Sequence, residues 1–166
     1  MNEISIIEKS RFSIIGIEGQ GSSQRAIQWI RPLWEEAVGR RSEVVSIIKE
    51  DEWGMMSGTE SFLSPWGESG RYLAGWELKR FNDTLPGWKT WNIPASTFAC
   101  IPTTISTISQ SLEELQEFIH QAPNLTRAGS TNEYYPPKFS GKPDDEFMLY
   151  MLVSKHCQQG SQGNVG

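Results

Sequence analysis

Glu133 stands in a setting that suits recognition chemistry. It lies in Asn132-Glu133-Tyr134-Tyr135-Pro136-Pro137, a single carboxylate inside a short aromatic run that a Pro-Pro pair ends. Side chains alternate along an extended strand, so Glu133 and Tyr135 share one face and Tyr134 takes the other. A carboxylate beside aromatic rings, shielded from water, suits a cation carried on an apolar body. The rings supply area and π-faces, and the carboxylate supplies the counter-charge. The plainer role for these residues is a solvated glutamate at a strand end, with tyrosines packing a half-buried sheet. On this stretch alone the plainer role has precedence; the rest of the chain shifts the balance.

Residue types and spacings argue against other chemistries. Cys100 and Cys157 are too few for a disulfide framework or a metal cluster, and Cys100 sits in an apolar, strand-like run as an ordinary buried residue. His120 lies near the C-terminal end of a helical stretch, where a charged imidazole suits the macrodipole, and His156 opens the tail. Nothing in their spacing suggests a metal site, and no cofactor is called for. Gly19-Gln20-Gly21-Ser22-Ser23 lacks both the Walker lysine and the third spaced glycine of a dinucleotide fingerprint, and its serines lack the flanks of a nucleophile elbow. It reads as a strand-to-helix turn capped by Ser22 or Ser23. Asp51-Glu52 and Asp144-Asp145-Glu146 read as solvated carboxylates in loops.

The chain has 166 residues, the length of one domain with a real core. A net charge of -5, with Arg40-Arg41 the densest basic stretch, argues against a nucleic-acid or anionic-membrane surface. No apolar run spans a bilayer and Met1-Asn2-Glu3 does not open a signal peptide, so the expected location is the cytoplasm. Seven Trp are spread from Trp29 to Trp91. Trp is seldom fully buried and often lines pockets, so some are expected in the core and some around a cavity.

The elements that would position these side chains follow from periodicity and breakers. Arg11 to Glu18 is β-branched and apolar, a strand. Gln24 to Val38 carries Ile27, Ile30, Trp34 and Val38 at helical spacing; Pro32 kinks this helix or opens a second piece, and Gly39 caps it. Ser42 to Lys49 reads as a short helix and Trp53 to Ser57 as a short strand. Thr59 to Arg71 is a loop whose Phe62 and Trp66 suggest that it covers something, as a lid would. Tyr72 to Leu78 is a strand, followed by a turn-rich connector. Lys89 to Trp91 and Ser96 to Pro102 are strands. Ile105, Ile108, Leu112, Leu115, Phe118 and Ile119 mark a second helix to about Gln121, with Ser111 and Glu114 as a possible capping box. Asn132 to Tyr135 and Glu146 to Ser154 are strands, and the tail from His156 is rich in Gln, Gly and Ser. The division is thus a domain over 1–155 and a flexible tail over 156–166. The order strand-helix-strand-strand occurs twice. The expected fold is α+β, a tandem βαββ arrangement whose sheet faces opposite the helices meet around a central cleft.

Several stretches in this order resemble one family. They are Phe-Ser-Ile-Ile-Gly-Ile-Glu-Gly from Phe12, Pro32-Leu33-Trp34-Glu35-Glu36, Tyr72-Leu73-Ala74-Gly75-Trp76-Glu77, Leu85-Pro86-Gly87-Trp88, Ile93-Pro94-Ala95-Ser96-Thr97-Phe98-Ala99 and Glu133-Tyr134-Tyr135-Pro136. Their order and spacing from about Phe12 to Lys155 are similar to the GyrI-like small-molecule-binding domains, which also serve as effector-binding domains of AraC-type and multidrug-responsive bacterial regulators. The resemblance implies two pseudo-symmetric βαββ halves flanking a cleft that takes cationic, amphipathic, often aromatic compounds. It places the cleft glutamate at Glu133 and an aromatic wall residue of the last strand at Tyr150, with Tyr72, Trp91 and Trp34 as further walls. The family's regulators carry a separate DNA-binding segment that this chain does not contain. The expectation is therefore a stand-alone member that meets no nucleic acid itself and pairs, if at all, with a separate regulator.

The leading expectation is a module that binds a small cationic or amphipathic molecule. A small-molecule hydrolase, with Glu133 as general base and Tyr150 as its hydrogen-bonding partner, uses the same residues and stays open beside it. A gyrase-inhibitor-like protein-binding role ranks last, because the chain has no acidic block.

Overall fold

The computed structural model describes residues 3–156. It is an α+β fold with one curled, eight-stranded antiparallel sheet and two helices. The elements are β1 (Ser5–Lys9), β2 (Phe12–Ser22), α1 (Ala26–Gly39), β3 (Ile48–Gly58), β4 (Ser69–Leu78), β5 (Lys89–Ile93), β6 (Ser96–Thr103), α2 (Ile108–Gln121), β7 (Leu125–Tyr135) and β8 (Phe147–Lys155). The strand order is β1-β6-β8-β7-β3-β4-β2-β5. No helix among the described residues is long and apolar enough to cross a membrane. Of the expected tail, residues 157–166 lie outside the described residues. His156 is tied to the start of β7, its backbone N–H donating to the carbonyl of Asn124 just before the strand and its ring nitrogen meeting the Thr126 hydroxyl at 2.7 Å.

Both helices pack on one face of the sheet. α1 lays Ile30, Leu33, Trp34 and Ala37 over Ile15 and Ile17 of β2 and Tyr72, Ala74 and Trp76 of β4. α2 lays Ile108, Leu112, Leu115 and Ile119 over β6, β8 and Tyr135 of β7. The opposite face carries Phe12, Trp53, Leu73, Trp91 and Phe98 as its own apolar cluster. The sheet curls around that cluster. Phe12 on β2 meets Phe98 on β6 with ring centroids 6.5 Å apart, although four strands separate β2 from β6 in the sheet.

Several local expectations change in the folded chain. α1 runs unbroken through Pro32, because its inward stripe anchors both halves on the same strands. That stripe is rotated from the expected one: Ile27 is 72% and Val38 59% exposed, while Leu33 and Ala37 turn inward. Ser22 caps a 3-10 turn, accepting from the Gln24 N–H, but β2 continues through the glycine-rich stretch up to it. A side chain at Gly21 would strike the Trp29 indole, so the glycine lets α1 lie close on the strand. Ser42 to Lys49 forms no regular α-helix; a 3-10 turn at Arg41–Glu43 leads to β3, which starts at Ile48. The capping box before α2 is built from Thr104 and Thr107. β7 begins at Leu125, well before Asn132, and β1 occupies a stretch with no strand expectation at all.

Candidate functional site

The arrangement around Glu133 is set by three adjacent strands, β7-β3-β4. Gly54 of β3 pairs with Glu133 on one side and with Ala74 on the other. Paired residues share a face, so Glu133, Gly54 and Ala74 all look toward the helices. Tyr72 and Tyr135, each two residues from a member of this row, share that face. Gly54 is the gap in the row. A Cβ there would collide with the Tyr72 hydroxyl and come within 2.5 Å of Glu133 Oε1. Without it, Tyr72 leans across β3 and donates to Oε1 of Glu133 at 2.5 Å. Tyr135 donates to the same oxygen at 2.8 Å. Trp34 of α1 donates its indole N–H to the Tyr72 oxygen at 3.0 Å and packs edge-on to Tyr135, with centroids 5.8 Å apart.

The electrostatics follow from this packing. Burial pushes the Glu133 carboxyl above its ordinary value, and the two tyrosine hydrogen bonds pull it back only in part. Burial and then the Glu133 charge push Tyr72 and Tyr135 well up, so both phenols stay protonated and donate. Among the described residues no Lys, Arg or His forms an ion pair with Glu133. Both tyrosines use Oε1, and Oε2 takes no hydrogen bond from the described residues. Since no buried side-chain oxygen among the described residues lacks a partner, Oε2 is not fully buried, and Glu133 lines an open space.

That space is a cavity of about 180 Å³ between β7, α2 and the loop after β3. Glu133 is its acid; Leu112, Leu149, Met56 and Trp66 supply apolar walls, and Arg127 stands on its lining as well. Trp66 belongs to the expected lid loop. It stacks on Trp29 with centroids 5.6 Å apart and donates its N–H to the Arg71 carbonyl at 3.1 Å. The same loop sends Phe62 and Leu63 to the other side of the sheet, where Phe62 meets Trp91. It is pinned in the middle: Leu63 N–H donates to the buried Ser57 hydroxyl, and Ser130 N–H of β7 donates to Leu63 O at 2.9 Å. The loop borders the cavity as a fastened wall.

Of the residues singled out from sequence, the structure brings Glu133, Tyr72 and Trp34 together and separates them from Tyr150 and Trp91. Tyr150 pairs with Asn132, not with Glu133, and Glu133 pairs with Leu149. Tyr150 therefore projects from the opposite face, against Trp53 and Phe98 at 5.0 and 5.5 Å. Trp91 is on that face too, its indole donating to Glu18 at 2.7 Å. The cavity bearing Glu133 is on the helix side of the sheet, which corrects the expectation of a cleft away from the helices. Tyr135, Gly54 and Arg127 are neighbours that the sequence did not assign to the site, whereas Trp66 comes from the loop expected to cover the cleft. Tyr135 was within reach of it, since i, i+2 alternation already placed it beside Glu133.

No family model and no curated protein matches the sequence. Solved structures match the fold. SAV2435 bound to tetraphenylphosphonium superposes with a TM-score of 0.67 at 13% identity, over 98% of this chain and 98% of that one. An integron cassette protein from the mobile metagenome of Vibrio cholerae gives 0.62 at 14% identity over 91% and 95% of the two chains. The C-terminal domain of EcmrR gives 0.62 at 11% identity over 93% and 99%, and in the EcmrR–DNA complex the matched part is 58% of the EcmrR chain. The chain is thus similar in fold to proteins that include a binder of an aromatic cation and the C-terminal domain of a DNA-bound protein.

Proposed function

We propose that this protein binds a small cationic, amphipathic molecule in the cavity between β7, α2 and the loop after β3, with Glu133 as the counter-charge. One observation carries the reading: a half-buried carboxylate among aromatic residues, held on one oxygen by Tyr72 and Tyr135, is in no ion pair among the described residues and lines a cavity. Such a carboxylate is costly without a partner, and a ligand cation relieves the cost. Tyr72, Tyr135 and Trp34 hold the acid, while Trp66, Leu112 and Leu149 offer the apolar contact. The tetraphenylphosphonium complex of SAV2435 and the place of the matched domain in EcmrR support an effector-sensing role of this kind, in a fold of two βαββ halves, β2-α1-β3-β4 and β6-α2-β7-β8.

Benzyltrimethylammonium and its neutral carbon isostere, neopentylbenzene, test the reading by titration against Trp fluorescence. The cation should bind the wild type more tightly, and Glu133→Gln should remove the difference while leaving the neutral ligand's affinity unchanged. Absent binding of the cation to the wild type, or equal losses for both ligands in the variant, would refute it. Hydrolysis in the same cleft is the second reading, favoured by the 2.5 Å contact between Tyr72 and Glu133. In that case Tyr72 and Tyr135 replace Tyr150, which is on the wrong face, and turnover of an electrophilic substrate is the discriminating measurement.

A further inference from the structure

The cavity lined by Glu133 is also lined by an arginine. Arg127 and Glu133 both line the space of about 180 Å³, both rise from β7, and neither is in an ion pair among the described residues. Arg127 is set by a break in the strand. Pairing with β8 jumps from Arg127–Val153 to Thr131–Met151, so three residues of β7 face a single residue of β8. The guanidinium is aimed by its Nε–H, which donates to Gly129 O at 2.8 Å, and by a long contact to the Thr131 hydroxyl at 3.4 Å. Partial burial lowers its pKa, the sign of a cation short of water. Arg127 also lines a second space, of about 440 Å³, along the C-terminal half of α2.

We infer that the ligand is zwitterionic: a cation seated on Glu133, an apolar middle along Leu112, Leu149 and Trp66, and a carboxylate or similar anion at Arg127. The inference rests on the cation reading of Glu133 and adds a second charge to it. If the protein needed only a cation, a guanidinium on the same wall would oppose binding; paired with a ligand anion it assists, and arginine presents a planar fork that suits a carboxylate. Spacing narrows the class further. Glu133 and Arg127 pair with Leu149 and Val153, four residues apart, a backbone span of roughly 13 Å. The Arg127 side chain shortens this, but the two groups form no ion pair, which favours a ligand longer than an α-amino acid. The ligand class is an amine or quaternary ammonium separated from its carboxylate by a ring or a chain of several carbons.

The probes are 4-(trimethylammoniomethyl)benzoate, a zwitterion, and its methyl ester, a cation of nearly the same shape. The wild type should prefer the zwitterion by roughly tenfold, the worth of one charge-assisted contact. Arg127→Gln should abolish the preference by weakening the zwitterion alone, and Arg127→Lys, which keeps the charge, should restore part of it. If Arg127 only braces the break in β7, its loss lowers both affinities equally, and the inference falls. It falls also if the folded wild type binds the two probes alike, a comparison that needs no variant. Binding of the ester without any preference for the zwitterion overturns this inference and leaves the cation reading standing; binding of neither probe overturns both.

Discussion

Glu133 and Glu77 are two carboxylates enclosed by the same group of strands, on opposite faces, and the chain treats them differently. Glu77 of β4 is 3% exposed. Lys9 reaches its Oε1 at 3.3 Å, Lys49 its Oε2 at 3.0 Å, and the Trp53 indole N–H donates at 3.2 Å. Lys9 also lies 4.4 Å over the Phe12 ring. Every oxygen of Glu77 is therefore met by protein, and its charge is balanced from within. Glu133 has two neutral donors on one oxygen, no ion pair among the described residues, and a place on a cavity wall. Desolvation has been offset at Glu77 and left partly open at Glu133. A buried acid that its own chain neutralises serves the fold; the half-buried acid that the chain leaves short is the one we propose for a ligand.

Exchanging each acid for its amide breaks the comparison most directly. Glu133→Gln should lower affinity for a cationic aromatic by about 1.5–3 kcal/mol, or roughly 10- to 100-fold, with the melting temperature unchanged or raised. Glu77→Gln should do the reverse, costing on the order of 2 kcal/mol of stability with ligand affinity intact, because both lysines lose their partner but still reach solvent. Calorimetric titration and denaturant melts of the two variants check both halves; a Glu77 variant that loses ligand affinity in a folded protein would erase the distinction.

Next comes Gly54→Ala. The added methyl group has no room beside Tyr72 and Glu133, so the strand or the tyrosine must move. Stability should drop by about 1–3 kcal/mol, and cation affinity should drop with it because Oε1 loses a donor. Ligand-detected binding and a chemical melt on one sample separate the two losses; full affinity would mean that the Tyr72 contact is dispensable.

A smaller effect is expected from pH. Burial raises Glu133 in the folded state, so the fold favours its protonated form. This group's contribution to stability is greatest at low pH and declines as pH rises from the ordinary glutamate value, about 4.3, through the raised folded value. Cation affinity should climb through the same window, since the ligand needs the ionised acid. Glu52 is raised by burial too, so the contribution of Glu133 is read as the difference between wild type and Glu133→Gln. Parallel affinity profiles for the two proteins would place the titrating group elsewhere.

The smallest change tests how fully Glu77 is provided for. Lys49 is half exposed and shares the acid with Lys9, so Lys49→Ala should cost under about 1 kcal/mol. A loss as large as that of Glu77→Gln would show that Lys9 contributes little.

Much of this contrast is prefigured in the sequence. Alternation along Asn132 to Tyr135 puts Glu133 and Tyr135 on one face; Tyr72 opens a clear strand; the order of strands and helices comes from hydrophobic period and breakers. These are local properties, set by side-chain spacing of 2 or 3.6 residues. Residues that decide the site at long range do not show there. Gly54 is an unremarked glycine until a tyrosine from β4 leans over it, and Trp66 is a loop aromatic until Trp29 receives it. The assignment of Tyr150 shows the limit most plainly. Both of its neighbouring strands are readable, yet their mutual register is not, and a shift of one residue exchanges the faces. Spacing along each strand fixes which residues share a face; the folded sheet fixes which strands lie side by side, in what register, and so which acid meets two lysines and which lines a cavity.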